Sequence, residues 1–591
     1  MPAFTRYGDT GPDELIGWYG LSAAKSYIEL HPDEKILVIE AESTCGGTWS
    51  RDRLYPGLKS NNLWGSYEHP DFPMVEEVYG VKYGEHVPAA TMHRYLTDFA
   101  KHFGVFERTR FDTAVDAIEA VPGDNSWKVH VRPSKGQQKD AEIEVLHTQK
   151  LIVATGLTTN PNLPTYPGQE KYTAPFFHAK DFHRQRDAVK DCKKVVVVGA
   201  GKSALDCAYV FAAEAGATVD LVMRPTGAGP VWISPPWVTP LKRMLEELLS
   251  TRALTWFSPC PWGGEDGFGI VRSFLHNSAL GQILVGNFWN FIKADVVQAH
   301  GYNEHPEVFK MKPWHSPQWT GSGVSIHNYP TNFFDLVREG KVRPHLAEIE
   351  RLDADNKVYL SDGQVVDSDV IICATGWKKE SGIKLQNFDV GLQKSPEERQ
   401  RLAQEADKRV RDLFPTLKDQ PVISKAPVSS SSATAVTNGV ANGTNGKNGN
   451  GASEPMRNYR FIVPSGAVFD RNIAYAGMVS TVCTAMFASI QGLWISAFLD
   501  GKLTRAPKND AEVLDEVMLH TQFGKWRYPC GYGANLPDFA FDSLPYVDLL
   551  MNDLGLPCRR KDTQINELLE PYKPRDYKGI TQEWLALQAK K

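Results

Sequence analysis

The stretch KKVVVVGAGKSALDCAYVFAAEAGATVDLVMRP, residues 193–225, decides the fold class. Val195 to Val198 make an unbroken apolar run, as expected of a strand buried on both faces of a parallel sheet. Gly199 then permits a tight turn, Gly201 lets backbone approach a pyrophosphate, and Ala204 replaces a third glycine while keeping helix and strand close. Ser203 lies in the opening turn of a helix of about fourteen residues, whose free N–H groups and positive dipole end would face phosphates. Gly216 ends that helix, and a second apolar strand closes on Arg224. Alone, G-x-G-x-x-A is a weak signal; set between strand, helix and strand it predicts dinucleotide binding. An NAD site usually carries Asp or Glu where Arg224 stands, and a guanidinium favours a 2′-phosphate, hence NADPH. The alternative is a solvated arginine after a strand.

A second, incomplete copy of this pattern lies near the start of the chain. In PDELIGWYGLSAAKSY, residues 12–27, Gly17 and Gly20 take the second and third glycine positions, while Leu15 takes the first. The helix from Leu21 ends at His31-Pro32-Asp33, and KILVIEAES supplies a buried strand ending in Glu40, at the spacing where an acid bonds an adenosine ribose. MPAFTRYGDTGPDE is polar and turn-like and is expected not to supply the central strand. Two accounts remain open. Either the sequence ahead of Gly17 reflects a faulty gene model or altered splicing, or the edge of this nucleotide site has been lost.

Further along, WKVHVRP and KLIVATG read as strands, and NPNLPTYPG as a proline-rich crossing between domains. YLSDGQVVDSDVIICATGW reads as a hairpin turning at Asp362-Gly363 and leading into a buried strand. Residues 225–330 hold seven of the fifteen tryptophans, which fit core packing first and an apolar pocket or membrane surface second. Residues 429–455, rich in Ser, Asn and Gly, are expected to form a disordered surface loop.

Composition narrows the function classes. A net charge of −5, from 65 basic and 70 acidic side chains, with no long basic run, argues against nucleic acid. The eight cysteines are scattered, with neither a C-x-x-C pair nor metal-ligand spacing, as expected of reduced intracellular thiols and no metal centre. No signal peptide or membrane span is indicated; the apolar ASIQGLWISAFL, residues 488–499, is too short and reads as a buried helix. A cytoplasmic location is expected, with peripheral association with a membrane left open.

From Gly17 to about Leu503 these pieces, in this order, resemble the flavin-containing monooxygenases, especially their fungal relatives. CGGTWSRDRLYPGLKSNN, residues 45–62, is similar to the family's G-G-x-W segment, and LKSNNLWGSYEHPDFPM places Asn61 on its active-site asparagine. YTAPFFHAKDF, residues 172–182, resembles F-x-G-x-x-x-H-x-x-x-Y/F with Tyr172 and Ala174 as departures, and its Phe182 tilts toward the N- or S-oxygenating branch over the Baeyer–Villiger one. Ala154-Thr155-Gly156 and Ala374-Thr375-Gly376 look like the family's crossings between domains, and Gly477 in AYAGMVST like its last flavin contact.

The resemblance implies an α/β fold of two Rossmann-like domains, the NADPH domain inserted into the FAD domain. The expected bounds are 1–160 and 377–503 for FAD, 161–376 for NADPH, and 504–591 for an extension of unknown role. It implies FAD contacts from Gly17, Gly20, Glu40, Gly46, Gly47, Thr48, Trp49, Thr155, Gly156, Gly376 and Gly477. NADPH contacts are expected from Gly199, Gly201, Ser203, Ala204 and Arg224. It further implies a flavin C4a-hydroperoxide that passes one oxygen atom of O₂ to a small apolar molecule, with Asn61 in a hydrogen-bonding role. Asn61 also reads as a turn-forming asparagine, and His178 as a packed linker residue. A flavin dehydrogenase or oxidase of the same architecture, and a flavin-free pseudoenzyme, remain as alternatives.

Overall fold

A computed structural model of the chain describes residues 16–134, 143–238, 242–378, 383–421, 423 and 455–590, together with the backbone of residues 2–5. The chain enters at β1 (Pro2–Thr5) and continues through α1 (Trp18–Leu30), β2 (Leu37–Ile39), β3 (Lys59–Leu63), β4 (Thr109–Arg110) and β5 (Lys150–Val153). A second unit follows: β6 (Phe176–His178), β7 (Lys194–Val198), α2 (Lys202–Tyr209), β8 (Thr218–Met223), α3 (Leu245–Leu249), β9 (Val324–Ile326), β10 (Val342–Leu346) and β11 (Val370–Cys373). The chain then returns through β12 (Ile473–Tyr475), α4 (Thr484–Leu499), α5 (Asp510–Arg527) and α6 (Ser543–Leu554).

Two parallel five-stranded sheets result. The first has the order β12-β5-β1-β2-β4 and the second β6-β11-β7-β8-β10. Because β5 and β12 are neighbours although the whole second sheet lies between them in sequence, the second Rossmann-like unit is inserted into the first. The chain crossings between the sheets pair with each other, Asn160 against Lys378 and Pro161 against Trp377.

One expectation is overturned. The opening residues do supply a central strand, since β1 pairs in parallel with β5 on one side and β2 on the other, Ala3 facing Leu151 and Leu37. Four residues suffice because both neighbours are already apolar strands, and Pro2 occupies the first strand position, where a missing N–H is tolerated. Leu15 and the turn around it lie outside the described residues, as do almost all of residues 429–455.

Several readings hold. Asp362-Gly363 turns an antiparallel hairpin, with Gly363 at φ +84°. Residues 488–499 lie wholly inside α4, which is buried along its length against α1 and the C-terminal helices. Gly492 permits that packing, because a Cβ there would meet the Ser22 carbonyl oxygen at 2.7 Å. Among the described residues no helix is long and apolar enough to cross a membrane. Of the seven tryptophans at 225–330, Trp232, Trp262, Trp289 and Trp319 are buried, as core packing requires.

The C-terminal segment, which offered no motif, belongs to the same core as the first sheet. It is fastened to the 225–330 segment by the buried Arg252, whose guanidinium meets Asp548 at 2.5 Å, Glu567 at 2.5 Å and Asp266 at 3.3 Å. Breaking such a cluster at one partner strands a buried charge, typically at a cost of about 3–5 kcal/mol.

Candidate active site

In each sheet the strand order reverses beside the central strand, the place where open α/β sheets bind their ligands. In the second unit Gly199 has φ +145°, and a Cβ there would stand 2.5 Å from the Ala374 carbonyl oxygen at the end of β11. It would also come within 3.3 Å of the Ala204 Cβ, so the small residue at 204 holds α2 against the turn. Gly201 caps α2, and a Cβ there would meet nothing within 4 Å. Gly376 (φ +82°) is likewise open. Ser203 lies in the first turn of α2, and Arg224 follows β8 directly with an exposed side chain.

In the first unit the described residues around the start of α1 come from more distant pieces of the chain. Gly17 caps α1, and a Cβ there would lie 3.3 Å from the Gly47 Cα; the Gly46 N–H donates to the Ile16 carbonyl at 2.9 Å. A Cβ on Gly20 would press on Ile16 and on Ala154, beyond the end of β5, at 2.7 and 3.2 Å. Gly46 (φ +131°) and Gly47 (φ +63°) lead into Thr48 and Trp49, whose indole N–H donates to the Tyr67 hydroxyl at 3.2 Å. Glu40 is fully buried just after β2. Its carboxylate accepts the N–H of Ile16 beside the turn and that of Glu42 at 2.8 Å.

The crevice fits the nucleotide that the resemblance implies. Thr155 is 3% exposed and its hydroxyl is a buried polar group without a partner. Gly156 beside it opens onto free space at φ +67°. Such an unsatisfied hydroxyl beside open glycine backbone is what a polar ligand would complete. Gly477 (φ +78°) closes the far side, donating its N–H to Gln491 at 3.1 Å, and a Cβ there would strike the Tyr19 ring at 2.5 Å.

Asn61 stands on β3 between the two units. Its Oδ1 accepts the Ser325 hydroxyl at 2.9 Å and the Ile326 N–H, on β9, at 3.3 Å. A backbone N–H only donates, so the carboxamide orientation is fixed and its NH₂ is the end left for a ligand. Asn328 extends the tie: it accepts from Lys202 of α2 at 2.7 Å and donates to the Lys59 and Ser60 carbonyls at 3.4 and 3.3 Å. His178 is a packed linker residue. It shares Nε2 with the Gly376 carbonyl at 3.0 Å, accepts the Lys180 N–H at Nδ1, and burial pushes its imidazole down to about 4. Phe182 stacks on Phe211 at 5.5 Å in the core of the second unit, which is a packing role.

Three parts of this site escaped sequence reasoning. Ser325 and Asn328 lie in GVSIHNYP, a stretch without a motif, and reach β3 only through the fold. Asp538 of the C-terminal segment receives the Ser322 N–H at 2.7 Å, while Ser480, just past Gly477, lies 2.6 Å from the Ser322 hydroxyl. Glu246 packs under β3, where its Oε1 accepts the Leu63 N–H at 2.9 Å. MLEELLS carries no motif that marks it.

A family model described as flavin-binding monooxygenase-like matches residues 42–244. The chain is 31% identical to the FAD-dependent monooxygenase rstn6 of Aspergillus nomiae, over 96% of this chain and 97% of that protein. It is 30% identical to the FAD-dependent monooxygenase resA of Aspergillus sclerotiorum, over 97% and 98%. Its fold is similar to that of closed cyclohexanone monooxygenase, with a TM-score of 0.57 at 15% identity, covering 94% of this chain and 97% of that one.

Proposed function

The chain belongs to the flavin-binding monooxygenase family of FAD-dependent monooxygenases, and from that premise we propose that it takes electrons from NADPH and transfers one atom of O₂ to a small apolar molecule. The acceptor is a soft nitrogen or sulfur centre, or a ketone that takes the atom beside its carbonyl. Flavin, when bound, supplies the oxygen-activating chemistry; the chain supplies binding, orientation and exclusion of water.

The residues proposed to hold FAD are Gly17, Gly20, Glu40, Gly46, Gly47, Thr48, Trp49, Thr155, Gly156, Gly376 and Gly477. Glu40 would take the adenosine ribose and α1 the pyrophosphate. Gly199, Gly201, Ser203 and Ala204 would receive the second pyrophosphate, and Arg224 the 2′-phosphate that separates NADPH from NADH. The observation that carries the reading is Asn61, its carboxamide oxygen held by Ser325 and Ile326 of the second unit so that its NH₂ is the end left to donate. A donor fixed in advance at that place can orient a reacting oxygen or the nicotinamide amide without reorganising during the reaction.

The test begins with the visible spectrum of the purified chain. Bound flavin is expected, reduced under nitrogen faster by NADPH than by NADH. A panel of apolar amines, sulfides and ketones is then incubated with heavy-isotope O₂. Incorporation of one labelled atom into a product supports the reading, whereas bound flavin that yields only hydrogen peroxide with every acceptor favours an oxidase.

A further inference from the structure

Glu246, in the short helix α3, is 3% exposed. Its Oε1 accepts from the Leu63 N–H at 2.9 Å and the Ser66 hydroxyl at 3.4 Å, while its Oε2 is buried without any hydrogen-bond partner. Among the described residues no lysine or arginine pairs with it. The adjacent Glu247 takes that role instead, meeting Lys573 at 2.7 Å and the Tyr83 hydroxyl at 2.8 Å.

The groups that face Glu246 are few. From β3 comes the Asn62 carboxamide, which also donates to the Val482 carbonyl at 2.8 Å, and from the following turn Ser66. From the turn before α4 comes Cys483, whose thiol is pushed up to about 12 by burial and by the Glu246 charge. Leu63 lies two positions from Asn61 on β3, so Glu246 sits where β3, the 225–330 segment and the turn beyond Gly477 converge.

An ionised carboxylate with one oxygen buried and unsatisfied is costly, and a proton on that oxygen removes the cost. Burial accordingly raises the carboxyl to about 7, against the polar groups of the α3 backbone, Leu63, Asn62 and Ser66 nearby, which favour its charged form.

We propose that Glu246 is the proton reservoir of the oxygenation site, a buried carboxyl that gives up a proton from Oε2 during O₂ reduction and recovers it from solvent. This rests on the monooxygenase reading above. In that reaction one acceptor, O₂, NADPH and one proton become oxygenated acceptor, NADP⁺ and water. NADPH supplies two electrons and one hydrogen as hydride. One oxygen atom ends on the acceptor, and the other leaves as water, needing one further proton. Glu246 supplies it: the Oε2–H bond breaks and its electron pair stays on the carboxylate. Without an acceptor the same NADPH, O₂ and proton give hydrogen peroxide, so the step is readable before any substrate is known.

The experiment uses the full chain with FAD and compares wild type with Glu246→Gln, which keeps an oxygen for Leu63 and Ser66 but has no transferable proton. Infrared difference spectra are expected to show a protonated-carboxyl carbonyl band that titrates near pH 7 and is missing from the variant. NADPH-driven O₂ reduction without acceptor is expected to slow above that pH in wild type. It should be lowered about tenfold or more in Glu246→Gln with the alkaline limb gone, and Glu246→Asp should restore the limb. An unchanged band, or a variant with wild-type rate and limb, overturns the proposal. If Glu246→Gln fails to fold, Ser66→Ala, which removes one donor to Oε1, should move band and limb to higher pH together, and either staying in place overturns it. Failure to bind FAD overturns the monooxygenase reading and this one with it, whereas bound FAD with an unaffected Glu246→Gln overturns this one alone.

Discussion

The two nucleotide sheets follow one plan and differ in how they are assembled. Each has a central strand, a helix that starts behind a glycine and a second strand, with the order reversing beside the central strand. In the second sheet the turn and its flanking strands run without interruption from residue 194 to 223. In the first, the crevice draws on Gly17, Gly46, Thr155 and Gly477, and its central strand is only Pro2–Thr5. A contiguous unit carries its own geometry; a dispersed one depends on strands that other segments hold in register.

That dependence is sharpest at β1, and the largest effect is expected there. Ala3→Pro removes a backbone donor from a strand flanked on both sides and leaves a buried acceptor unpaired, at about 1–3 kcal/mol. FAD should be lost from the purified chain while the second unit still binds NADPH, as read by the visible spectrum and by calorimetric titration with NADPH. Retention of flavin by Ala3→Pro would show that the first crevice stands without its central strand, and the contrast between the sheets would collapse.

The second unit should break at one residue. Gly199→Ala places a Cβ 2.5 Å from the Ala374 carbonyl in a backbone conformation that side chains rarely adopt. About 2–3 kcal/mol of strain is expected. Flavin should remain bound, but its reduction by NADPH should slow at least tenfold in stopped-flow mixing. If both cofactors are lost together, the ties through Asn61 and Asn328 make one cooperative site of the two units.

The same contrast explains what the sequence disclosed. Residues 193–225 could be read because the strand, the turn glycines and the small residue packed on the turn all lie within the stretch itself, with Ala374 and Val231 joining from outside. Glu40 and Gly17 were legible by spacing alone, yet β1 was not, since four residues carry no periodicity and their pairing is set by β2 and β5. Asn61 came from the resemblance; its orientation came from Ser325 and Ile326, more than 260 residues away in sequence. Glu246 left no local trace, because desolvation is a property of what packs around a carboxyl and Leu63 and Cys483 arrive from opposite ends of the chain.

The smallest predicted effect tests whether the two sheets also differ in what they select. The second strand of each ends one residue before a charged side chain, Glu40 after β2 and Arg224 after β8. Glu40 is buried and already accepts backbone N–H groups at its own turn, whereas Arg224 is exposed. A charge-assisted contact to a 2′-phosphate is worth about 1.5–3 kcal/mol, partly screened at an exposed site. Arg224→Ala should therefore weaken NADPH about tenfold, near 1.4 kcal/mol, and leave NADH unchanged, as measured by flavin reduction at varied concentrations of each. An equal loss for both nucleotides would make Arg224 a contributor to the crevice as a whole, and no loss would make it a solvated arginine. In either case the opposite charges that follow the paired strands would not be what distinguishes the nucleotides.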